Sequence, residues 1–200
     1  MKRIVCLVLA AVLAAAAGAY AQAQDKSGAP SYVKDAANAA WTVLGKKPVE
    51  KGLALVYETG EGKHGPATKA GKECWVAGEN PASQDGARYM YFNLMNKAFK
   101  NSKTPKVDII IEYLDEGEAE IGIAYDSSDQ EFKLVDNYPM GTWKPTEDKI
   151  VLEDTGKWKT MTFHIEDARF ENNCNGADFR LEVPGALDLA IASAAVVKVK

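Results

Sequence analysis

The segment Glu171-Asn-Asn-Cys-Asn-Gly176 sets three amides and one thiol between two strand-like runs, Met161–Ile165 and Ala177–Leu181. Amides donate and accept hydrogen bonds, so Asn172 and Asn173 can meet the hydroxyls of a ligand. They also tolerate left-handed backbone and cap turns through their side chains. The turn role comes first and ligand contact second. Trp143 lies in Asn137-Tyr-Pro-Met-Gly-Thr-Trp-Lys-Pro145, where two prolines and a glycine point to a loop. A tryptophan there has no strand-core duty, so it and Tyr138 are candidates to present a flat apolar face, with packing under the loop as the alternative. Tyr89 and Tyr91 share one face of an expected strand and Arg88 the other, so the tyrosines either stack a ligand or pack across strands.

Catalytic constellations are absent from the spacing. There is no G-x-S-x-G, no phosphate loop, no dinucleotide fingerprint and no EF-hand. His64 falls in a Gly- and Lys-rich loop, and His164 takes the outward phase of a strand. The carboxylates Asp115, Glu116, Glu118 and Glu120 cluster at a turn, where acidic residues face water. Two scattered histidines and two cysteines match no metal-ligand spacing. The reading is of a protein that is not an enzyme, a small hydrolase or lyase being the outside alternative.

The elements that must position these residues follow from period-two alternation after Lys51. Val107, Ile109, Ile111 and Tyr113 share one face, and Ala119, Ile121, Ile123 and Tyr125 repeat the pattern after Asp115-Glu-Gly117, which predicts a hairpin. Met161–Ile165, Ala177–Leu181 and a last run from Leu187 to Val199 alternate likewise. Leu53–Tyr57, Glu73–Val76, Ala87–Leu94, Glu131–Val135 and Lys149–Leu152 bring the expectation to about ten short strands. Such a chain is all-β: an antiparallel two-sheet sandwich of about 150 residues, one domain over 51–200. Residues 22–50 read as a leader, with a short helix over Asp35–Leu44.

Lys2-Arg3, the apolar run Ile4–Ala17 and the small residues of Ala19-Tyr20-Ala21 describe a secretory signal over residues 1–21, with a second cut site after Ala23. The run is shorter than the ~20 residues of a membrane-spanning helix, and Cys6 lies too early for lipoprotein processing. The expected location is secreted or periplasmic, without membrane insertion after processing. Loss of Lys2 and Arg3 takes the formal charge from −4 to −6, which disfavours nucleic acid as a partner. Cys74 and Cys174 then remain. An even pair in an oxidising compartment reads as a disulfide, worth at most about 4.7 kcal/mol for a loop of ~100 residues. Two buried free thiols are the alternative.

Three segments together carry a resemblance: Gly86-Ala-Arg-Tyr-Met-Tyr-Phe-Asn93; Val107 to Gly117 running into Ile121-Gly-Ile-Ala-Tyr-Asp126; and Gly156-Lys-Trp-Lys-Thr160, Phe163 to Phe170 and Asn175-Gly-Ala-Asp-Phe-Arg180. Their order resembles the galactose-binding-like jelly-roll domains, β-sandwich modules of secreted bacterial carbohydrate-active proteins, over roughly Lys51–Lys200. The resemblance implies a non-catalytic module that binds a poly- or oligosaccharide through loops or one sheet face. No cofactor is required; a structural calcium ion is implied, with Glu58 and Asp188 as the matching carboxylates. Trp158 falls where the pattern has a packing residue. The chain has no catalytic domain of its own, so a structural module that holds an envelope protein is the second reading.

Overall fold

The computed structural model describes residues 28–56, 63–78, 88–132, 142–185 and 187–199. The expected signal lies outside them. Thirteen strands form among the described residues: β1 Ala39–Val43, β2 Val49–Lys51, β3 Leu53–Leu55, β4 His64–Lys69, β5 Lys72–Ala77, β6 Arg88–Leu94, β7 Val107–Asp115, β8 Glu120–Ser127, β9 Thr142–Pro145, β10 Ile150–Val151, β11 Lys157–Ile165, β12 Phe179–Val183 and β13 Ala190–Lys198. They make two antiparallel sheets, as the alternation requires. The seven-stranded sheet runs β11-β7-β13-β1-β2, with β5 beside β13 and β4 beyond it. The six-stranded sheet runs β10-β8-β12-β6-β3, with β9 against β8.

The two inner faces close on one core. Ile109, Ile111, Phe163 and Val196 of the larger sheet meet Met90, Phe92, Ile123, Phe179 and Leu181 of the smaller, all fully buried. Phe92 and Phe179, cross-strand partners, stack with centroids 4.8 Å apart. Fully burying each such side chain contributes about 1.5–3 kcal/mol.

Several expectations about elements are corrected. Residues 107–115 and 120–127 are both strands, but they do not form a hairpin: β7 belongs to the larger sheet and β8 to the smaller. Both bury their odd-numbered positions, so they face each other across the core instead of lying side by side. The arch between them rests on Asp115, which is fully buried, not solvated. Its carboxylate accepts bonds from the Glu153 amide (2.7 Å), the Thr155 hydroxyl and Lys159 (2.8 Å). Gly117, at φ +83°, supplies the left-handed turn.

The segment 35–44 is not a helix. A 3-10 turn at Ala36–Asn38 leads into β1, which pairs with β13 from Ala39↔Val197 to Val43↔Ser193 and is buried throughout. Tertiary packing overrides the helix preference of its alanines. The sandwich therefore begins inside the stretch read as a leader. Of the strand expected over Glu131–Val135, Glu131 and Phe132 lie in a 3-10 turn, Gln130–Phe132, and the rest lies outside the described residues. Two stretches read as loops are strands: His64 opens β4, and Trp143 sits on β9.

Candidate functional site

Strand alternation sends Tyr89, Tyr91 and Asn93 of β6, Arg180 and Glu182 of β12, and Gly122, Ala124 and Asp126 of β8 to the outer face of the smaller sheet. Register then sets them in rows. Arg180 lies opposite Tyr91 on one side and Ala124 on the other, and Ala124 opposes Pro145 of β9. The small side chain of Ala124 lets Trp143 reach over β8 toward β12. The Arg180 guanidinium lies 4.4 Å from the Trp143 ring and 4.1 Å from the Tyr89 ring. Each contact is a cation–π pair, about 0.5–2 kcal/mol depending on exposure. Glu182 holds the same guanidinium at 2.8 and 3.0 Å. Burial works against the Arg180 charge, but the bonds to Glu182 and the Tyr91 hydroxyl outweigh it and raise its pKa.

The result is an aromatic–guanidinium–aromatic layer, with Arg180 over both rings and polar groups at its edge. Tyr91 is only 2% exposed. It underlies the layer, its ring 5.7 Å from Trp143 and 6.1 Å from Tyr89. Its hydroxyl meets Asn175 and Arg180, each at 3.3 Å. The side chains left to form the surface are Tyr89, Trp143, Glu182 and Asn175.

The asparagine-rich loop is anchored by two buried carboxylates. Asp126 accepts bonds from the backbone amides of Glu171 (2.7 Å) and Asn173 (3.3 Å) and from the Arg169 guanidinium (2.7 Å). Asp178 accepts from the Asn172 amide (2.9 Å), the Leu94 amide (2.7 Å) and Lys100 (2.6 Å). Phe170, Asn172 and Asn175 all take positive φ, between 50° and 61°. Asparagine suits that geometry, and Asn172 and Asn173 turn inward, to Asn93 and Asp126.

The disulfide is corrected: Cys74 and Cys174 are both free and fully buried. Cys74 packs with Leu114 and Ala190 under Trp158 on the larger sheet, while Cys174 bridges to Ala177 at the end of the smaller. The two thiols are buried at different places, and burial pushes both pKa values up, holding them protonated. The corner is tied by carboxylates, not by sulfur.

The remaining expected residues do not join this face. Trp158 packs, as its pattern position implies. His164 pairs with Asp108 across strands at 2.6 Å and stays exposed. Tyr138 and Glu58 lie outside the described residues. Asp188 is ion-paired with Arg88 at 2.6 Å, and the same guanidinium nitrogen donates to the Leu187 carbonyl at 2.7 Å. Among the described residues no group of three or more His, Cys, Asp or Glu side chains could hold a metal. The Asp188 carboxylate is thus engaged by a guanidinium.

Sequence reasoning missed Arg180 and Glu182. Their outward phase was visible, but the register that brings them to Tyr89 and Trp143 was not.

No known protein family matches the sequence, and no curated protein does. Among solved structures, CBM29_1, a family 29 carbohydrate binding module from Piromyces equi, is similar at 9% identity and a TM-score of 0.43, over 80% of this chain and 91% of that one.

Proposed function

We propose that this chain is an exported, non-catalytic carbohydrate-binding module whose site is the outer face of the smaller sheet. The observation that carries the reading is the layer of Tyr89, Arg180 and Trp143, with Glu182 and Asn175 at its edge. Sugars present apolar C–H faces rimmed by hydroxyls. An aromatic surface suits the first, and a carboxylate and an amide held in place suit the second. The groups are held before any ligand arrives, which lowers the ordering cost of binding.

A binding role also fits the state of the carboxylates. Glycoside hydrolysis by the usual route needs two carboxyls facing each other across the sugar. Here Glu182 is ion-paired with Arg180, and Asp126, the register partner of Trp143, is buried against Arg169. Affinity electrophoresis in gels containing soluble polysaccharides tests the proposal. Retardation by one or more glycans, abolished by Trp143→Ala, is the expected result. Equal mobility in every gel would remove the reading, and turnover of a glycan would overturn its non-catalytic part.

A further inference from the structure

We infer that the site has a second, cationic half beyond the end of β6, and that the glycan it takes carries negative charge, as a uronate carboxylate or a sulfate ester. This rests on the carbohydrate-binding reading and narrows it to a class of sugar. The row Tyr89, Tyr91, Asn93 runs along one face of β6 with about 7 Å between successive members. Past Leu94 it opens into a cavity of about 480 Å³, lined by Asn93, Lys97, Lys100, Asn101, Lys103 and Asn172.

The charges in this cavity do not cancel. Lys100 is paired with the buried Asp178 at 2.6 Å. Glu171, the one carboxylate lining the cavity, lies 3.6 Å from Arg169 and accepts from Asn173 at 3.1 Å. Lys97 and Lys103 are exposed and enter no ion pair among the described residues. Two ammonium groups that enter no ion pair among the described residues therefore share one cavity.

The asparagine loop joins this cavity to the aromatic layer. Asn175 donates to the Tyr91 hydroxyl at 3.3 Å and Asn172 to the Asn93 side-chain oxygen at 2.5 Å, so the loop runs in step with the β6 row. Lys103 is set by a turn with Asn101 and Ser102 at φ 58° and 54°, and the Ser102 amide donates to the Arg169 carbonyl at 3.0 Å. A sugar chain laid along β6 meets the rings of Tyr89 and Trp143, then amides, then ammonium groups. Charge-assisted bonds to a carboxylate or sulfate are the strong ones such groups form.

Titration calorimetry of the processed protein with three hexasaccharides tests this: oligogalacturonate, sulfated carrageenan and neutral cellohexaose, each in low and high salt. At least one anionic hexamer should bind ten times or more tighter than the neutral one in low salt, and the two anions separate uronate from sulfate. That advantage should shrink in high salt and vanish in the Lys97→Ala/Lys103→Ala double variant, whose unfolding midpoint stays unchanged. Undiminished anion affinity in the double variant, or no preference for either anion, overturns the inference. If Trp143→Ala still weakens binding in that case, the aromatic site stands without its cationic half. If none of the three hexamers binds, the inference falls, and the gel panel decides the fate of the broader reading.

Discussion

The two outer faces of the sandwich carry similar chemistry put to different ends. On the larger sheet, Glu112 pairs with Lys72 at 2.5 Å, and Lys72 stands 4.9 Å from the Trp158 ring. On the smaller, Arg180 pairs with Glu182 and lies between Tyr89 and Trp143. The first pair is enclosed by the chain itself. Ala29 and Val33 of the N-terminal segment pack on Trp41 and Ala195, and the Tyr32 hydroxyl reaches Ser193, which in turn bonds Glu112. Both carboxylate and ammonium there are only 14% exposed, whereas Glu182 keeps 38%. An ion pair beside aromatics is thus not a site in itself. What separates the faces is whether the chain has used the pair to dock its own segment.

The largest expected effect concerns the corner that supports the proposed binding face. Asp126→Ala strands Arg169 and two backbone amides, so urea unfolding should show a loss of about 3–5 kcal/mol. A loss below 1 kcal/mol would mean the asparagine loop does not depend on its carboxylates. Next, Trp143→Ala should cost at least tenfold in glycan affinity, about 1.4 kcal/mol or more, with a much smaller change in stability. Tyr32→Phe should do the reverse, removing about 1 kcal/mol of stability and leaving affinity alone. If the two variants exchanged effects, the binding face would be the wrong one.

Acid sharpens the picture further. Hydrogen bonds from Lys159 and Thr155 hold the Asp115 carboxyl well below the carboxylate range, and Lys144 and the Glu131 amide lower Asp129. Burial pushes Asp167 up, but bonds from Lys144, Tyr125 and Ser127 outweigh it and bring it down. A carboxyl depressed in the folded state adds stability above its unfolded pKa of about 4, and that stability is lost as pH falls through the folded value. Asp178, raised by burial, works the opposite way and offsets part of the loss. Melting temperature should therefore fall below about pH 4, and Asp115→Asn should flatten the fall. The smallest effect is a null: reductant should leave the melting temperature unchanged, and the unfolded protein should titrate two thiols. A drop on reduction would reinstate the disulfide, whose loss costs about 2–5 kcal/mol.

Alternation along Val107–Tyr113 and Ile121–Tyr125 revealed strands and their buried faces. It did not reveal which strands pair, because a side-chain period of two is the same whether the next strand lies beside or across the core. That is why the arch at Asp115 read as a hairpin. The same limit hid the site: Tyr89, Arg180 and Trp143 come from three strands that share no local pattern. β1 was missed for a different reason, since its alanine-rich sequence resembles a helix and only contact with β13 decides otherwise.

The four tryptophans offer the most direct test. Trp41 and Trp158 pack on the larger sheet, Trp75 of β5 donates to the Gly45 carbonyl, and only Trp143 stands on the proposed binding face. In a proton–nitrogen NMR titration with a glycan that retards the protein, the indole signal lost in Trp143→Phe should move, and the other three should hold still. Movement confined to Trp41 or Trp158 would place recognition on the larger sheet and contradict the account.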